Sequence, residues 1–90
     1  MQTKIWVRQV RVDQRTGHIT VRLESETTAG TAHWFGPKRD YGVDADTFRG
    51  RFGCDIEQLK TYFANQHRAM MGVHIKLVEK LSKLEGEVIG

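Results

Sequence analysis

Apolar residues recur at strict seven-residue spacing through the last third of the chain, at Ile56, Phe63, Met70, Leu77 and Leu84. Leu59, Val73 and Leu81 fill companion positions, and Tyr62, Met71 and Val78 widen the stripe. This period predicts an amphipathic helix, and the boundary residues agree with it. Asp55 stands where an N-cap acceptor is wanted, with Gln58 three residues on as in a capping box. Asp55 and Glu57 suit the positive end of the helix dipole, and Lys80 and Lys83 the other end. Gly86 is a stop. The pattern therefore predicts one helix over about 55–85. Gly72 is its weak point, costing ~1 kcal/mol against Ala. The alternative is a break there, with the chain folding back as a helical hairpin, although no capping residue immediately follows.

The front third changes period from helical spacing to alternation. Ile5 to Val12 is rich in β-branched residues and reads as a strand. Ile5 and Val7 have the opposite parity to Val10 and Val12, so a bulge near Arg8–Gln9 is needed to bring all four to one face. Asp13 to Gly17 is a turn. His18 to Glu24 then alternates cleanly, with Ile19, Val21 and Leu23 on one face. Pairing Val12 with Ile19 sets Val10 opposite Val21 and leaves an open face with Gln9, Arg11, His18, Thr20 and Arg22. Thr27–Gly30 is a second turn, and Thr31 to Phe35 is a candidate third strand ended by Gly36-Pro37. In such a strand Trp34 and Phe35 point to opposite sides, so one of them lies on the outer face. Lys38 to Gly42 reads as an exposed loop. Asp44 or Asp46 caps a short helix over about 45–52, with Phe48 and Phe52 on one side and Gly53 as its end.

The expected fold class is α+β, in one small domain. It comprises an antiparallel two- or three-stranded N-terminal sheet over about residues 3–36, a loop and short helix over about 37–53, and the long amphipathic C-terminal helix. Thirty helical residues span roughly 45 Å. A three-stranded sheet of seven-residue strands measures about 15 by 23 Å. Such a sheet leaves the second half of the stripe uncovered, which points to dimerisation through Met70, Val73, His74, Leu77, Leu81 and Leu84.

Charge alters this picture only slightly. The chain has 90 residues and carries a formal net charge of +3, with pI near 9.3. The surplus sits in the front half, where nine Lys/Arg face six Asp/Glu in residues 1–54. An excess of three is weak evidence for a nucleic-acid partner. The best patch for one combines Arg11, Arg22, His33, Phe35, Lys38 and Arg39, where basic groups surround an aromatic on a sheet. The single cysteine excludes an intramolecular disulfide and fits a reducing compartment. The N-terminus lacks the apolar core of a signal peptide, and no run approaches the ~18 residues of a membrane span. A cytoplasmic protein with no membrane partner is expected.

Candidate chemistry is sparse. His67 and His74 lie seven apart on one helix face, ~10 Å from each other, too far to share a metal. Cys54 precedes a helix start, where the dipole favours a thiolate, but no local motif supplies the histidine that a cysteine nucleophile needs. No phosphate-cradling glycine pattern, His-Glu-x-x-His or Cys-x-x-Cys is present. No cofactor, metal or catalytic residue is expected. The resulting expectation is a small intracellular interaction or adaptor module, partnered by a second copy of itself and by another protein. Nucleic-acid binding through the open sheet face is the alternative, and a small enzyme with an unfamiliar site the second alternative.

Overall fold

A computed structural model describes residues 1–89. The elements in order are β1 (Gln2–Val12), β2 (Ile19–Ala29), β3 (Ala32–Phe35), β4 (Arg39–Val43), α1 (Ala45–Phe52), α2 (Ile56–Met70) and α3 (Gly72–Ser82). The class is mixed α+β, with an antiparallel sheet of four strands and three helices on one of its faces. β2 is central. β1 pairs along one edge, and β3 and β4 share the other in tandem.

β2 sets the sidedness of the sheet. Its odd-numbered residues Val21, Leu23, Ser25, Thr27 and Ala29 are buried and its even-numbered ones are half-buried. Both neighbours meet it with a one-residue slip. On β1, Val7 pairs with Leu23 and Gln9 with Arg22, so the bulge falls at Arg8 and Ile5, Val7, Val10 and Val12 all share the helix side. On the other edge, Phe35 pairs with Glu26 and Arg39 with Leu23, so four residues around Gly36-Pro37 match three on β2. That slip puts Trp34 and Tyr41 on the same side despite their opposite parity. The Asp13–Gly17 turn closes as the sequence implies: Asp13 Oδ1 accepts from Arg15 N at 2.9 Å, and Gly17 takes φ 71°.

The structure corrects two expectations about the sheet. Lys38–Gly42, read as loop, is mostly strand β4. The strands of the main hairpin are eleven residues long rather than seven or eight. They span about 36 Å, close to the ~40 Å of α2 and α3 placed end to end. The chain's own sheet is therefore long enough to underlie the whole helical segment. The molecule is elongated, 62 × 20 × 16 Å.

The single helix over about 55–85 is also corrected. It is two helices separated at Met71, whose φ and ψ are −82° and −3°. This ψ is far from the helical value near −42°, so the direction changes locally. The hydrogen bonds carry through: Met71 N donates to His67 O at 3.0 Å and Met71 O accepts from Ile75 N at 2.9 Å. The chain does not fold back. His67 meets Ser25, His74 stacks on Trp34 with centroids 5.9 Å apart, and Glu85 accepts from the Thr31 backbone and hydroxyl at the far end of the hairpin. Asp55 caps α2 as expected, its Oδ1 accepting from Glu57 N at 2.9 Å and Gln58 N at 3.3 Å.

The core has two parts. Val21, Leu23, Val43, Phe52, Leu59 and Phe63 form an apolar cluster at the α1–α2 end, bordered by Ile5, Ile19, Tyr41, Phe48 and Tyr62. Toward the α3 end the sheet presents small or polar side chains, Ser25, Thr27 and Ala29, and the helices bring His67, Met71 and Val78 onto them.

Candidate functional site

Three arrangements merit chemical scrutiny. The first is buried. His67 is fully enclosed, with Nδ1 2.9 Å from Tyr41 Oη and Nε2 3.2 Å from Ser25 Oγ. Ser25 is 1% exposed. Burial holds the imidazole pKa below its ordinary value, and the Arg39 cation adds to this. Burial likewise raises the Tyr41 phenol, against a smaller opposing effect of Arg39. A serine bonded to a histidine resembles a nucleophile with its base. No substrate reaches this one, because Gly36 and Met71 close over Ser25; even a Cβ at Gly36 would collide with Ser25 Oγ. Among the described residues, every buried polar side-chain atom has a partner. The trio joins β2, β4 and α2 and fixes how they seat on one another. Sequence reasoning missed it because its members lie 42 and 26 positions apart. The available signal was that Ser25 continues the buried parity of β2, and that His67 follows Phe63 by one helical step of four.

The second arrangement is the outer sheet face. Arg11, Arg22, His33 and Phe35 share that face, spread along β2 from the level of Thr20 to that of Thr28, Lys38 reaches Glu24 beside them, and Phe35 is 72% exposed. Arg39 is not on that face: it pairs with Leu23 and shares that residue's helix side. The reading overlooked the acids of this face. Arg22 Nε sits 2.8 Å and Arg11 Nη2 3.4 Å from Asp40. Arg8 and Lys38 flank Glu24 at 3.5 and 3.8 Å, and His33 Nδ1 lies 2.9 Å from Glu26. The hydrogen bond from Arg22 lowers the Asp40 pKa and in turn raises that of the guanidinium. The cations thus alternate with carboxylates, which weakens the field a phosphate backbone would feel.

The third arrangement is apolar and lies on the helical segment. α3 has two apolar sides. One, formed by Met71, Ile75 and Val78, is turned to the sheet, and Met71 and Val78 are at most 1% exposed. The other runs through Val73, Leu77, Leu81 and Leu84, which are 78, 41, 44 and 52% exposed. Met70 is half-buried at its start. At 100° per residue these five fall on one side, about 120° from the sheet-facing line. His74, expected among them, instead stacks on Trp34. In α2 the heptad residue Phe63 and its companion Leu59 enter the apolar core with Phe52 of α1, while Ile56 at the start of the helix is 63% exposed.

Cys54 is exposed, at φ 57°. Among the described residues, no group of three or more His, Cys, Asp or Glu side chains could hold a metal ion, and no helix is long and apolar enough to cross a membrane. No family model matches the chain, and no curated protein or solved structure matches it either.

Proposed function

We propose that this chain is a small protein-interaction module that pairs with a second copy of itself through α3. The observation that carries the reading is the second apolar side of that helix. Its first side already meets the chain's own sheet, so the exposure of Val73, Leu77, Leu81 and Leu84 is not explained by an incomplete fold. Val73, Leu77 and Leu81 in line over roughly 12 Å of α3, with Leu84 just past its end, suit a helix-on-helix contact, and interfaces are made of such clustered apolar side chains. A two-fold dimer would bring the same stripe to itself. Further proteins would be recruited by the paired module, in the manner of an adaptor. The outer sheet face supports nucleic-acid binding less well, since its cations face Asp40, Glu24 and Glu26. A catalytic role is supported least, since the Ser25–His67 pair is enclosed.

Sedimentation equilibrium from low to high micromolar concentration tests the dimer, which a monomer throughout would refute. Leu77→Asp with Leu81→Asp yields monomers that keep the circular dichroism of the parent. A dimer unchanged by that pair of substitutions moves the interface elsewhere.

A further inference from the structure

β1 is an edge strand. It pairs with β2 along one side only, and its eleven residues include no proline. Every second N–H and C=O along its free side is therefore open to another strand. A cleft of about 460 Å³ lies between β1 and the flank of α2. Ile5, Val7, Leu23 and Ala64 give it an apolar lining, and Lys60 and Arg68 stand on its helix side. The charge of the strand is one-sided. β1 carries Lys4, Arg8 and Arg11 and no carboxylate. Among the described residues, neither Lys4 nor Arg68 has an acid within salt-bridge distance, whereas Arg8 and Arg11 are satisfied by Glu24 and Asp40.

We infer that the free edge of β1 accepts an extended segment of another protein in which apolar residues alternate with Asp or Glu. Strand addition supplies main-chain hydrogen bonds, and alternate side chains supply the selection. The apolar series of such a segment enters the cleft beside Ile5 and Val7. Its acidic series lies on the outer face toward Lys4. A second copy of β1 is the wrong occupant, because it brings three cations and no acid to a strand that already carries the same three. Like charges across a strand pair are destabilising. This surface shares no residue with the α3 stripe and does not depend on the dimer.

The test uses a fluorescein-labelled nine-residue peptide alternating Val and Glu, read by fluorescence anisotropy with the full chain. A Val–Lys peptide is the charge control. Two further versions carry N-methyl groups on either the Val or the Glu series, which blocks one edge of the strand or the other. Saturable binding of Val–Glu is expected, at least tenfold weaker for Val–Lys and for Lys4→Glu protein. One N-methyl series abolishes binding and the other leaves it unchanged. Absence of binding at millimolar peptide, equal binding of Val–Lys, or indifference to both N-methyl series overturns the proposal. So does a dimer of the chain that the Val–Glu peptide dissociates, which would seat a second copy on this edge.

Discussion

Acid should loosen this fold through His67. Unfolded, the ring titrates near its ordinary value of 6.5, whereas in the fold burial first, and Arg39 second, hold it lower. Above about pH 6.5 both states keep the ring neutral, and it adds no pH dependence. Below that, the unfolded chain binds a proton that the folded chain refuses, so stability falls with falling pH until the folded ring protonates as well. For one proton the slope reaches at most ~1.4 kcal/mol per pH unit. In a chain of this size each kcal/mol moves Tm by about 4–8 °C, so each unit over which the folded ring stays neutral lowers Tm by roughly 6–11 °C. The measurement is thermal unfolding followed by circular dichroism from pH 7.5 to 5, on the parent and on His67→Gln. The variant lacks the proton site. It should start lower by about 1–3 kcal/mol, because Ser25 and Tyr41 lose a well-placed partner, and it should lose less on acidification. Parallel pH profiles would refute the argument, since other carboxylates and histidines would then account for the whole slope.

Two glycines make opposite predictions. Gly72 heads α3, and a Cβ built on it meets nothing within 4 Å; Gly72→Ala should raise stability by about 0.4–1 kcal/mol in urea titration, by restricting the unfolded chain. At Gly36 a Cβ strikes Ser25 Oγ and approaches Met71 Cε to 3.1 Å; Gly36→Ala should cost about 1–3 kcal/mol by overpacking, and the Tyr41 and His67 ring resonances should shift with it.

Much of the hairpin was legible because the residues that define its register are apolar. The parity change between Val7 and Val10 demanded a bulge, and the register has one at Arg8. The extension of β2 was not legible, because Ser25 and Thr27 are polar yet buried, and polar residues at core parity look like a strand's end. β4 was hidden by Lys38, Asp40 and Gly42, which read as loop chemistry until Tyr41 and Val43 are seen against Val21 and Ile19. On the helical segment the heptad at Met70, Leu77 and Leu84 drew attention away from the line the sheet uses. That line passes through Leu59, Phe63, His67, Met71 and Val78. His67 and Val78 are eleven apart, three turns at ~3.67 residues per turn, a slower period than the heptad's 3.5. Two stripes of different period diverge along a helix, and the heptad leucines that drift off the sheet are the ones left exposed on α3. The residues of that exposed line were therefore readable from the heptad, whereas His74, read with them, stacks on Trp34, which lies 40 residues earlier.

The connection through Gly36, Pro37 and Lys38 behaves like a shift of reading frame. Upstream of it, even-numbered residues such as Ala32 and Trp34 look toward the helices; downstream, odd-numbered ones such as Tyr41 and Val43 do. Its length is thus a coded quantity in a way that its side chains largely are not. Removing one residue there would translate the rest of the strand in the wrong frame, turning Tyr41 and Val43 to solvent and parting His67 from its phenol. Removing two would preserve the sense of the message. Natural variation in this segment should accordingly change letters freely at Pro37 and Lys38, and change the number of letters only in pairs.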